Sequence, residues 1–174
     1  MSSKNGSPIM TPATSTTDST LYTPESTART TIGEVWDGRH FTVPSAGNTY
    51  QIFQRGTKNA ILMTEDGGAY VGDIDYDKLK HNVWLCVEKN GYFGFTQLGR
   101  YLGHTMSGHM HAWANNFENW EYFVIKKHQD GGYQLMMPHW WYSLKTVRIV
   151  GNGPNLELGD HGTTFWEFVK VDQV

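Results

Sequence analysis

The chain holds one cysteine, Cys86, so an intramolecular disulfide is excluded and stability must come from a packed core. It lacks any apolar run near twenty residues, and so shows no membrane span. No apolar stretch follows Lys4, which leaves the N-terminus without the pattern of a signal peptide. It also lacks strong charge of either sign. A formal net charge of −3 gives no basic face for nucleic acid and no field that would select a partner. The sequence contains no Gly-Lys-Ser/Thr phosphate loop, no Gly-x-Ser-x-Gly elbow, no His-Glu-x-x-His pair and no Rossmann glycine pattern. No cofactor is therefore expected, and catalysis would have to come from side chains assembled in space. These absences lead to the expectation of a cytoplasmic protein whose role is binding rather than catalysis.

What is present divides the chain in two. Residues 1–33 are rich in Ser and Thr, with Pro8, Pro12 and Pro24, and offer too little apolar surface to offset the entropy of ordering. They are expected to form a disordered tail. Ser7, Thr11 and Thr23 each precede a proline and resemble proline-directed phosphorylation sites, although such pairs are common in solvated tails. The sequon at Asn5-Gly6-Ser7 is expected to stay unmodified without secretion. From Trp36 onward, short aromatic and β-branched runs alternate with Gly, Asn and Asp clusters, the pattern of an all-β domain over 36–174. Within it Cys86 lies in the apolar run Val83-Trp84-Leu85-Cys86-Val87, where a buried, inert thiol is expected.

A motif recurs three times in that domain. Tyr50, Tyr92 and Tyr133 open segments of about forty residues, and each segment closes on a tryptophan followed three residues later by Val or Phe. The closing pairs are Trp84 with Val87, Trp120 with Phe123, and Trp166 with Val169. Repeats of this length mark units that bury their apolar faces only against their copies. Each holds four expected strands: 50–53, 60–63, 69–72 and 83–88; then 91–95, 100–103, 109–113 and 120–126; then 132–137, 143–150, 155–158 and 165–171. Twelve strands in three units give a β-trefoil, with repeats at about 48–90, 91–131 and 132–174. Two large apolar residues three apart on a strand call for a bulge between them, expected at each closing pair.

The second repeat carries a family likeness. Gly99-Arg100-Tyr101-Leu102-Gly103, Gly108-His109-Met110-His111-Ala112 and Asn119-Trp120-Glu121-Tyr122-Phe123 resemble the strands of the fascin-like β-trefoil proteins. Phe165-Trp166-Glu167-Phe168 repeats the last of these elements. The resemblance spans about 36–174 and implies an intracellular, non-enzymatic module that binds a protein such as actin. The Gln-x-Trp motif of ricin-B trefoils is missing, but a lectin-like trefoil that binds a glycan remains a second reading. A third is a small cyclase or isomerase with a pocket of His, Tyr and Trp.

Candidate site residues are those the repeats do not share. Trp113 and the run His139-Trp140-Trp141-Tyr142 fall outside the repeated core positions, and exposed aromatics suit sugar stacking or protein anchoring. Laid on the second repeat, Trp140-Trp141-Tyr142 matches Gly99-Arg100-Tyr101. His109 and His111 are two apart on a strand, so both are expected on its outer face. With His104 across the turn they are the candidate metal ligands, although the further ligand and the supporting contacts that zinc needs are not visible. Asp73, Asp75 and Asp77 have the spacing of an EF-hand start, but the glycine and the glutamate that complete such a loop are missing.

Overall fold

Alternating apolar residues such as Tyr50 and Ile52 give each strand one buried face, and Gly or Asn pairs turn the chain between strands. The computed structural model describes residues 35–36, 39–75, 77, 82–140, 143–162 and 164–171. The expected tail at 1–33, its phosphorylation candidates, Trp141 and Tyr142 lie outside the described residues.

A ribbon of β1 (Val35–Trp36) and β2 (Arg39–His40) precedes a twelve-stranded sheet. The first repeat contributes β3 (Thr49–Gln54), β4 (Asn59–Met63), β5 (Ala69–Asp73) and β6 (Trp84–Lys89). The second contributes β7 (Tyr92–Gln97), β8 (Arg100–His104), β9 (Met110–Ala114) and β10 (Val124–Lys127), with a 3₁₀ turn at Asn119–Glu121 before β10. The third contributes β11 (Tyr133–His139), β12 (Ser143–Ile149), β13 (Leu156–Gly159) and β14 (Trp166–Val171). All twelve expected strands are present.

Six of them close a barrel. β3 pairs with β6, β6 with β7, β10 with β11, and β14 with both β11 and β3. A bridge between Phe93 and Phe123 joins β7 to the segment entering β10 and completes the ring. The hairpins β4–β5, β8–β9 and β12–β13 branch from β3, β7 and β11. They also bond to one another in a cycle: Ala112 N–H donates to Gly67 O, Val71 N–H to Pro154 O, and Leu158 N–H to Gly108 O. The fold is a β-trefoil, and closure leaves its barrel without a free edge.

Cross-strand partners fix which residues are equivalent. Tyr50 faces Trp84, Phe93 faces Phe123, and Tyr133 faces Trp166. The core follows in layers, with Ile52, Phe95 and Leu135 in one and Trp84, Phe123 and Trp166 in the next, all fully buried. Both buried tryptophans satisfy their indole N–H on a backbone carbonyl, Trp84 on Ile61 at 2.9 Å and Trp166 on Val147 at 3.4 Å. This register corrects three expectations. In the second repeat the core position belongs to Phe123, not Trp120, and to Phe93, not Tyr92; Tyr92 instead stacks on Tyr122 with ring centroids 4.7 Å apart. No bulge lies at Trp84–Val87 or Trp166–Val169: the ladders run unbroken, Cys86 and Phe168 take the inward position, and the valines alternate away. The register shift falls instead in β8–β9, between Tyr101 and Gly103. Cys86 is buried as expected, and burial pushes its thiol up to about 12.

Candidate functional site: an indole-walled cleft between the second and third repeats

Three local devices build this site. The first is a substitution at a core position. His104 pairs with Met110 as Met63 pairs with Ala69 and Ile149 with Leu156, so an imidazole stands where the other repeats have aliphatic side chains. His104 is 4 % exposed, and its ring nitrogens lie 2.9 Å from Thr105 O and 3.2 Å from Pro138 O. Burial holds its pKa below the ordinary value, so the ring is neutral near pH 7 and donates to one of these carbonyls.

The second device is the 3₁₀ turn. Glu118 and Glu121 form a reciprocal capping box, in which Glu121 Oε2 accepts from Glu118 N–H at 3.1 Å. The turn lifts Trp120 out of strand geometry and onto the surface, where it is 43 % exposed with its ring 4.9 Å from that of His104. The Glu121 carboxyl packs inward against Gly103, where an added Cβ would lie 3.0 Å from Glu121 Oε1 and 2.8 Å from Trp120 O. Burial raises its pKa to about 7.

The third device is a long hairpin. In the second repeat Gln97 pairs with Arg100 across a two-residue turn, whereas in the third the ladder continues through Pro138 with Leu144 to His139 with Ser143. Trp140 therefore follows a hairpin ladder longer than that of the second repeat, which corrects its alignment with Gly99. Trp140 sits there with φ of 54°, in the left-handed region that disfavours bulky side chains, and is 62 % exposed. The His139 ring stands 5.4 Å from His104 and 5.8 Å from Trp140.

Together, His104, Asn119, Trp120, Pro138, His139 and Trp140 line a cleft of about 400 Å³. It is apolar on its walls, and a side-chain amide and two imidazoles supply its polar groups. Of the candidates from the sequence, the cleft gathers His104, His139 and Trp140. Trp113 lies elsewhere: it covers the Gly67 turn, donates its indole N–H to Asp66 O at 3.0 Å and stacks on His111 at 4.4 Å. His111 is buried rather than outward, and its Nδ1 accepts from Trp113 N–H at 3.3 Å. His109 is exposed at the hairpin cap, so His104, His109 and His111 do not converge. Among the described residues no group of three or more His, Cys, Asp or Glu is placed to hold a metal ion. Asn119 and Trp120 were not among the candidates. Trp120 carried the signature of a scaffold residue, and only the structure shows that the 3₁₀ turn removes it from the core.

No protein-family model matches the sequence, and no curated protein resembles it. The fold is similar to part of the GlcNAcα1-4Gal-releasing endo-β-galactosidase of Clostridium perfringens, with a TM-score of 0.61 and 19 % identity over 72 % of this chain and 33 % of that one. It is similar to the whole length of the ricin B-like lectin of Macrolepiota procera, solved in complex with lactose, with a TM-score of 0.60 and 17 % identity over 75 % of this chain and all of that one. The designed threefold-symmetric protein ThreeFoil gives a TM-score of 0.57 and 18 % identity over 71 % of this chain and 99 % of that one. The chain thus matches about a third of the endo-β-galactosidase and the full length of the lectin. At these identities the likeness is one of fold, and the fold is the β-trefoil.

Proposed function

We propose that this β-trefoil binds carbohydrate in the cleft of Trp120 and Trp140. One observation carries the reading: two indoles far more exposed than their apolar area favours wall the same cleft, beside hydrogen-bonding groups. A sugar ring presents an apolar C–H face and a rim of hydroxyls. The indoles match the face, and the Asn119 amide and His139 match the rim. Left-handed backbone at Trp140 costs free energy that packing does not return to so exposed a side chain, as is common at ligand sites. The trefoil likeness to a lectin in complex with lactose agrees with this reading.

Actin binding, the first expectation, has less support. No lysine or arginine is among the described lining residues to meet an acidic filament, and no similar structure reported above is titled as an actin-binding protein. The cyclase or isomerase reading needs an acid–base pair at the cavity, yet neither tyrosine nor carboxylate is among its described lining residues.

A glycan array followed by tryptophan-fluorescence titration with each hit tests the proposal. Trp120→Ala and Trp140→Ala should each weaken binding by about 2 kcal/mol, roughly thirtyfold in Kd. An array without hits, or hits that both variants bind as tightly as the parent, would remove the reading.

A further inference from the structure

The junction between the third repeat and the first holds a second cleft, and we infer that it is a separate site for a neutral, polyhydroxylated ligand of the saccharide class. The cavity is about 470 Å³, with a floor of Val71 and Ile149 and a rim formed by Gln54, Asn59 and the turn from Gly151 to Pro154, which includes Asn152.

Register shows why a cleft occurs there. Ile149 faces Leu156 as His104 faces Met110, so the two floors are equivalent positions. Each has a wall from the first strand of the following repeat, β11 in one case and β3 in the other. The second cleft is the threefold counterpart of the first with its chemistry changed. An aliphatic floor replaces the imidazole, and amides replace the indoles.

The amides specify the ligand. None of the side chains of Gln54, Asn59 and Asn152 makes a hydrogen bond among the described residues, although Gln54 and Asn59 are partly buried. Each offers donors and an acceptor, so three amides lining one cleft can pair with hydroxyl or acetamido groups in either sense. Among the described residues no charged side chain lines the cleft, and the described lining makes no demand for an ionised ligand. Val71 and Ile149 provide a small apolar surface for the C–H face of a ring. The rim is also fixed in place. Val71 N–H donates to Pro154 O at 2.8 Å, Tyr70 bridges Asn155, and Val150 N–H closes the turn on Asn155 O at 2.9 Å. Gly151 supplies the positive φ of 57° that this turn requires.

The inference does not depend on what the indole cleft binds, and its test uses a different signal. In the full chain labelled with ¹⁵N, the side-chain NH₂ resonances of Gln54, Asn59 and Asn152 are followed during titration with lactose and with N-acetyllactosamine. At about 10 mM sugar, a site with a Kd of about 1 mM would be close to saturated. The expected result is saturable movement of these resonances with at least one sugar, unchanged in Trp140→Ala, with the movement of the remaining Gln54 resonance abolished in Asn59→Ala/Asn152→Ala. Asn152 is exposed in a turn, so Asn152→Ala alone gives a check that does not threaten folding, and it should weaken binding at least threefold. Static resonances with both sugars would overturn the inference. So would movement that disappears in Trp140→Ala, since that would trace to the first cleft, or movement reproduced by triglycine, since that would assign the amides to a peptide.

Discussion

His104 and Glu121 are polar groups at 4 % exposure on either side of one short turn, and burial pushes their pKa values in opposite directions. His104 is neutral near pH 7, and Glu121 keeps its proton until the pH approaches about 7. For Glu121 the folded pKa of about 7 exceeds the ordinary 4.5, so between these values the folded state keeps a proton that the unfolded chain has lost. Stability from this group is fully present below pH 4.5 and is lost as pH rises through about 7, by roughly 3 kcal/mol at most. His104 has the opposite sign: its contribution is present above 6.5 and is lost as pH falls. Comparing Glu121→Gln with the parent at each pH cancels the histidine contribution. The Tm difference, variant minus parent, should increase from pH 4.5 to pH 8, and thermal melts that show a constant difference would contradict the burial assigned to this carboxyl. Neither group was legible as part of the site. Its spacing groups His104 with His109 and His111, whereas what matters is that it occupies the position of Met63 and Ile149. That equivalence depends on cross-strand register, which one sequence does not display.

The elements were easier to read than their registers. Alternation and turn residues placed all twelve strands, because half-buried strands leave a period-two trace and Gly or Asn marks each reversal. The closing tryptophans are a poor guide because the same motif does not sit on a strand in all three copies. In the first and third copies it does, with Trp84 and Trp166 in the core. In the second, the segment before β10 winds into the 3₁₀ turn, Phe123 fills the core, and Trp120 is released to the cleft. His139 and Trp140 stand out from the repeats in the sequence, whereas Trp120 is hidden by its place in the repeated motif. The turn depends on Gly103, whose missing side chain makes room for Trp120 O and the Glu121 carboxyl. Gly103→Ala should therefore displace the turn, cost about 1–3 kcal/mol and weaken cleft binding severalfold while the barrel persists. Denaturant unfolding alongside the fluorescence titration checks both effects, and unaltered ligand affinity would show that the turn does not position the indole.

At the scale of the whole molecule, threefold geometry provides three similar junctions between repeats, and the sequence treats two of them differently. One carries indoles and imidazoles, the other amides over an aliphatic floor. Both clefts are then variations on a shared scaffold position, and neither requires a change to the barrel. Barrel closure has a further consequence. Val171 of β14 faces Thr49 of β3, and Thr42 N–H donates to Phe168 O, so the last strand of the barrel is hydrogen-bonded to the first and to the segment that leads into it. The order of the repeats along the chain is accordingly a matter of where the ring was cut, and the ring can be cut elsewhere. A circular permutant opened at the Asn90-Gly91 turn, with a short flexible linker from Val171 to residue 39, should fold with a Tm within about 10 °C of the parent. It would present the repeats in the order two, three, one, with both clefts intact.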